Sequence, residues 1–313
     1  MPTKQIQIPI QLGEPVEHRG VVVAPVFPRS RPRAEYLTLE EALPLGFRVS
    51  EVDAAGMVPE LAVVNPLESS VLLYDGEELL GAKQNRILNV TVLVAAQSET
   101  RIPVSCVEQG RWHARSAFFS AAPHAAYPEL RRRKAERLSA APLERGVAQS
   151  EVWDALSEKA GRLGVDSPTG AQGDVFDARE RDLGSLREAF PLQPGQSGAF
   201  FALGEQFCLD YVSRPEAFAR LYPKLLDGYL LDAIEALDRK PTREAALREF
   251  LAAAEEAPLS RRPSTGLGED LRLHRNGVVG SGLELDGELL QVCAFSGDES
   301  GARTHIGRPS RRR

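Results

Sequence analysis

Two stretches carry side chains whose types and spacing would do chemistry. Residues 76–86 read GEELLGAKQNR and residues 102–112 read IPVSCVEQGRW, and they bracket two of the most apolar strands the sequence predicts. Side chains alternate along a strand with period two, so Arg86 shares a face with Leu88, Val90, Val92 and Val94. By the same count Glu108 ends an inward row of Ile102, Val104 and Cys106. An odd-length turn within 97–100 puts Glu108 opposite Leu88 or Val90, and the first register leaves Arg86 one diagonal position away. That pattern predicts an Arg86–Glu108 ion pair at the rim of the core. A four-residue turn would set Arg86 against Arg111 instead.

The neighbouring carboxylates add to the cluster. Val71, Leu73, Glu78 and Leu80 share one strand face and Leu72, Tyr74, Glu77 and Leu79 the other, both mainly apolar. At least one of Glu77 and Glu78 is therefore expected to be partly buried, with Lys83, Arg86 or Arg111 as its partner, since an unpaired buried carboxylate is costly. Arg86 and Arg111 would hold an anionic group through forked hydrogen bonds, with Lys83 beside them. Gln84 and Asn85 would read polar edges, and Trp112 would stack on a flat ring. Glu78 and Glu108 are the candidate acid and base, which glycoside-type hydrolysis needs roughly 5 to 10 Å apart. The alternative is an ion-pair network that only locks a β-rich core, with Gln84 and Asn85 satisfying loop backbone.

The elements that must position these groups follow from periodicity. Short strands are predicted at 5–10, 21–27, 47–52, 61–64, 71–80, 86–96 and 101–108, with a short helix at 37–42 that Thr38 would cap with Glu41 three residues on. Asp75-Gly76 reads as a two-residue hairpin turn, as does Asp286-Gly287. Gly204-Glu205 takes a similar place between 199–203 and 206–212, an echo that favoured turn chemistry explains better than duplication. Helix is predicted from 127 to 164, with Ser150 as a cap and Gly164 as a stop, and its Arg131, Arg132, Arg133, Lys134 run as a solvated face. Residues 164–198, rich in Gly, Pro, Asp and Ser, read as either a long surface loop or a flexible excursion. Ser213-Arg214-Pro215-Glu216 signals a helix start, Tyr222-Pro223 a restart, and 243–254 a further helix.

Composition excludes several classes. With 313 residues, 42% hydrophobic and 26% charged, the chain can bury a core and is neither disordered nor fibrous. Its apolar runs, such as 21–27 and 90–96, fall far short of the roughly 20 residues that span a bilayer. Gln5, Ile6, Gln7 and Ile8 alternate where a secretory signal would be continuously apolar, so a cytoplasmic location is expected. Cys106, Cys208 and Cys293 lie too far apart for a metal pair or an even disulfide framework and read as small buried hydrophobes. His18, His113, His124, His274 and His305 show no zinc spacing. No metal or cofactor is named by these residues. Net charge is -6 and only 6 of 38 basic residues are lysine, so no nucleic-acid surface and no membrane partner is expected.

At residues 76–86 and 102–112 the sequence resembles the ARG and rhodanese-phosphatase-superfamily-associated protein domain family, a domain of unknown biochemical function. Gly195-Gln196-Ser197-Gly198, Leu209-Asp210, Leu225-Leu226 and Tyr229 are similar too. The resemblance implies, by genome association, a role in ADP-ribose metabolism or prokaryotic conflict and stress systems, and it brings no catalytic residues. The expectation is a β-rich α+β fold of antiparallel sheets or barrel-like lobes, with helices packed in the second half. Residues 1–126 form a β-rich lobe with the polar motif, 127–198 a helical and loop insertion, 199–296 an α+β lobe packed on the first, and 297–313 a disordered tail. The leading functional reading is an accessory module that binds a nucleotide-like or other anionic small molecule. A hydrolase using paired glutamates and an oligomeric partner protein without a ligand are the alternatives, and oligomeric state is left open.

Overall fold

The computed structural model of the chain describes residues 6–30, 32–52, 59–140, 149–238, 242–275 and 277–297. The tail expected past 297 and His305 lie outside the described residues. In chain order the first strands are β1 (Ile10–Leu12), β2 (Val16–His18), β3 (Val21–Pro28) and β4 (Leu37–Thr38). After helix α1 (Leu39–Ala42) come β5 (Arg48–Glu51), β6 (Glu60–Asn65), β7 (Val71–Leu73), β8 (Glu77–Gly81), β9 (Arg86–Leu88), β10 (Val92–Val94), β11 (Ser98–Cys106) and β12 (Phe119–Ala125). Helices α2 (Pro128–Ala140), α3 (Gln149–Arg162) and α4 (Gln172–Arg187) follow, then β13 (Gly198–Leu203), β14 (Gln206–Val212), α5 (Pro215–Ala233) and α6 (Glu244–Glu256). The last strands are β15 (Leu259–Pro263), β16 (Glu269–Arg275), β17 (Val278–Leu285) and β18 (Glu288–Ser296).

This is the expected β-rich α+β class. A nine-stranded antiparallel sheet runs β1-β3-β13-β14-β18-β17-β16-β15, with β2 also on β3. A six-stranded sheet runs β12-β8-β9-β11-β6-β5, and a three-stranded one runs β10-β7-β4 with β4 parallel to β7. Strand β3, from the beginning of the chain, is thus bonded along its length to β13. The two faces of the large sheet fill two cores by alternation: Val21, Val23, Phe201 and Cys208 pack with α5, and Val22, Ala24, Phe200 and Leu209 with α6. Helix α1 begins as read, with Thr38 and Glu41 forming a capping box.

Several local expectations are overturned. The strands predicted at 71–80 and 86–96 each break in two and serve different sheets, the first at Asp75-Gly76, which is not a hairpin turn, and the second at 89–91. Gly76 alone has positive φ there, +87°, and Glu77 N–H donates to Tyr74 O at 3.0 Å, so the turn passes the chain from β7 in one sheet to β8 in another. A Cβ on Gly76 would stand 2.9 Å from Arg131 Cδ, which makes glycine obligatory for a second reason. At Asp286-Gly287 both φ values are positive, +50° and +77°, the paired-strand turn that was expected. Residues 164–198 are not a loop; they contain α4, whose Gln172, Phe176, Leu183 and Leu186 face inward at helical spacing. Pro223 does not restart a helix: α5 runs through it, and Arg214, not Ser213, occupies the cap position. The run 131–134 is no solvated face either, since Arg131 and Lys134 are buried.

Candidate functional site

The end of β8, the start of β9 and the segment after β11 converge with the first turn of α4. Arg86 stands between Leu79 of β8 and Cys106 of β11. The ladder of β11 ends there, so Glu108, two residues on, does not reach Arg86 and the Arg86–Glu108 ion pair does not form. Instead Glu108 Oε2 accepts the Asn85 N–H at 3.1 Å and pairs with Arg111 at 2.6 Å. Burial acts to raise the Glu108 pKa, but Arg111 and the Asn85 N–H outweigh it and hold the carboxyl below its ordinary range.

Arg111 is a staple. Its Nη1 donates to Ala82 O at 2.8 Å and His113 O at 3.0 Å, and its Nη2 to Asn85 Oδ1 at 3.0 Å and Gly81 O at 3.3 Å. The loop so held is unusual: Gly81 and Ala82 both have positive φ, +126° and +40°, a conformation that strains an alanine. With those donors committed, Arg111 positions the loop and does not present a fork to a ligand.

Arg86 is the opposite case. Its side chain is fully buried, its Nη1 donates to Gln84 Oε1 at 2.8 Å, and its Nε and Nη2 have no hydrogen-bond partner. The nearest carboxylate, Glu51, is 4.0 Å from Nη2, beyond hydrogen-bond reach. The indole of half-exposed Trp112 lies 6.0 Å from this guanidinium and 5.3 Å from Lys83 Nζ, at the outer edge of the cluster. Gln84 Nε2 donates to Glu108 O at 2.9 Å.

Both Glu77 and Glu78 are buried, and neither takes the cation expected for it. Glu77 pairs with Lys224 of α5 at 3.2 Å. Glu78 has no cationic partner: Gln172 Nε2 donates to its Oε2 at 2.8 Å and its Oε1 has none. Burial, with the Glu108 and Asp177 charges behind it, pushes the Glu78 carboxyl up to about 8, against the hydrogen bonds from Gln172 and Asn85. Asn85 thus holds Glu108 through its backbone N–H, while its side-chain oxygen takes the Arg111 guanidinium.

The fold thus gathers Glu78, Gln84, Asn85, Arg86, Glu108 and Arg111 in one buried cluster, with Lys83 and Trp112 at its edge. Sequence reasoning missed Gln172 and Glu51; the helical spacing inside 164–198 was the available sign for the first. It also missed a second buried cluster. Arg131 forks onto Asp210 at 2.8 and 2.6 Å, Tyr74 and Tyr229 each donate to Asp210 at 2.5 Å, and Lys134 pairs with Asp75 at 2.9 Å. Every Asp210 oxygen is satisfied there, the mark of a lock. Glu129, Asp232 and Glu235 bring carboxylate oxygens within 4.8 Å of one another, but Lys159 Nζ already sits among them, 2.6 Å from Asp232. A cleft of about 1050 Å³ opens elsewhere, where its Arg33 and Arg261 pair with Glu288 and Glu284.

Fold and site together define a β-rich α+β protein with a strained, charge-filled strand connection buried under one helix. The chain belongs to the family of the ARG and Rhodanese-Phosphatase-superfamily-associated Protein domain, whose model matches residues 9–295. No curated protein and no solved structure matches it. Among the described residues no helix is long and apolar enough to cross a membrane.

Proposed function

We propose that the chain binds a small anionic molecule, nucleotide-like in carrying a flat ring, at the connection 81–86. The observation that supports this reading is Arg86: a buried guanidinium with two partnerless donor atoms and no carboxylate within hydrogen-bond reach. Leaving a buried cation so poorly compensated costs stability, and an incoming phosphate or carboxylate removes that cost. Trp112, half exposed beside it, offers a stacking face. Link to ADP-ribose metabolism or prokaryotic conflict systems remains part of this proposal through the family's associations.

The test is thermal unfolding with inorganic phosphate, pyrophosphate, AMP and ADP-ribose, with the parent chain beside Arg86→Met and Trp112→Ala. A ligand at about 100 times its Kd adds about 2.7 kcal/mol. In a chain of this size that corresponds to a rise of roughly 4 °C. Arg86→Met is expected to abolish the rise, and Trp112→Ala to weaken it for AMP and ADP-ribose but not for pyrophosphate. An equal rise in parent and Arg86→Met, or none with any probe, rejects the reading.

A second reading is favoured by the opposite displacement of two carboxyls near enough for the charge of Glu108 to act on Glu78. Near neutral pH Glu78 holds its proton and Glu108 does not, the division of labour of a hydrolytic acid and base. Turnover of glycosides or phosphoesters by the parent chain, lost in both Glu78→Gln and Glu108→Gln, would support it.

A further inference from the structure

A histidine outside both clusters is held as reactive imidazoles are held. Strand β12 pairs with β8 through Ala121–Leu79 and Ala125–Glu77, so Ala122, Pro123 and His124 together stand against the single residue Glu78. Such a bulge re-aims side chains, and here it carries the His124 ring to helices α4 and α5. His124 Nδ1 lies 3.0 Å from Asp227 Oδ2 on α5, and its ring stacks on Phe176 of α4 with centroids 4.3 Å apart and planes 6° from parallel. Arg187 donates to both oxygens of Asp227, at 2.5 and 3.0 Å, and is itself gripped by both oxygens of Glu180 at 2.7 and 2.9 Å.

These contacts fix more than orientation. Asp227 takes two hydrogen bonds from Arg187 and remains an acceptor, so in the neutral ring Nδ1 carries the hydrogen and Nε2 the lone pair. Nε2 has no hydrogen-bond partner among the described residues and is not among the sealed polar atoms that lack one, so it opens to solvent through the tenth of the side chain that is exposed. Phe176 lies one helical turn from Gln172, the residue that holds Glu78. Residues four apart on a helix are neighbours, about 5–6 Å between Cβ atoms, so the His124 ring and the Glu78 carboxyl lie under adjacent turns of α4.

We propose that His124, backed by Asp227, is a reactive imidazole of this protein: its Nε2 accepts a proton from a water or hydroxyl group delivered beneath α4. As Nε2 takes the proton the ring becomes an imidazolium, and the Asp227 carboxylate stabilises the new charge through Nδ1–H without itself being protonated. The inference does not draw on Arg86, so failure of anion binding would leave it standing.

The test uses diethyl pyrocarbonate, which acylates the unprotonated ring nitrogen, with labelling of each histidine followed by peptide mass spectrometry. In the folded parent chain His124 is expected to label within a few-fold of exposed His113, faster than its narrow opening alone would allow. Asp227→Asn should slow His124 about tenfold relative to His113 in the same sample, and Asp227→Glu should restore part of the rate. An unfolded variant would instead raise the His124 rate, so misfolding cannot imitate the effect. If Asp227→Asn unfolds, the ring tautomer in the parent chain, read by nitrogen NMR, decides alone. A hydrogen on Nε2, a His124 that stays unlabelled while His113 reacts, or a rate indifferent to Asp227→Asn each overturns the proposal.

Discussion

Two arginines that look alike in the sequence do different work, and the difference is measurable. Arg111 donates four hydrogen bonds and pairs with Glu108, so Arg111→Ala should leave those groups unmet and cost about 3–5 kcal/mol in denaturant unfolding. Arg86 makes one good hydrogen bond, and Arg86→Met should be close to neutral or stabilising without ligand, because an apolar side chain of similar volume removes a buried charge. Glu78 gives the pH signature. Its native carboxyl titrates near 8, well above its unfolded value, so between roughly pH 4.5 and 8 the native state holds a proton that the unfolded chain has released. Stability from this group is complete below that window and is lost as pH rises through it. Glu78→Gln should therefore match the parent at pH 5 and exceed it at pH 8.5 by an amount on the order of a few kcal/mol. A gap that does not change with pH would refute the assignment. The clustering of these residues was legible from strand alternation, but their pairing was not: partner choice turned on where β11 ends, which the pattern of apolar residues leaves open.

At the scale of elements, helix α4 is what converts a strand edge into an enclosed site. Its first residue holds Glu78 and its second turn packs His124. Gln172→Ala should leave the helix formed but remove the only hydrogen bond to Glu78 from α4, opening the site to water. Amide hydrogen exchange is then expected to quicken over β8 and the 81–85 connection while β13 and β14 keep their protection. Uniform quickening would mean that the helix merely stabilises the whole molecule. The sequence hid α4 because Gly173 and Gly184 lie inside it and its inward face is interrupted by Arg179. The same applies to α2, where a basic run reads as solvated until its partners are known. Asp210 was the visible clue: a lone carboxylate within the apolar strand 207–212 demands a buried cation, and Arg131 is that cation.

For the whole molecule, local periodicity was weakest where the chain doubles back on itself. Boundaries are expected near residues 126 and 198, yet β3 from one side of them lies against β13 from the other, and no short-range pattern announces a pairing across that separation. Ion pairs tie the same parts again: Arg131 and Lys134 of α2 join Asp210 of the nine-stranded sheet to the turn after β7, and Lys224 of α5 reaches Glu77. A chain of 313 residues is well above the size at which all-or-none unfolding is usual. The interleaving nevertheless predicts it for this one, since neither large sheet can lose its strands without exposing the charges that the other buries. Far-ultraviolet circular dichroism and tryptophan fluorescence, which reports Trp112 beside the six-stranded sheet and Trp153 in α3, should give coincident denaturant transitions. Asp210→Asn should shift both together by about 3 kcal/mol or more, because it strands Arg131 in the interior. Two separated transitions, with only one of them moved by Asp210→Asn, would show that the lobes fold apart and that the buried lock joins finished parts.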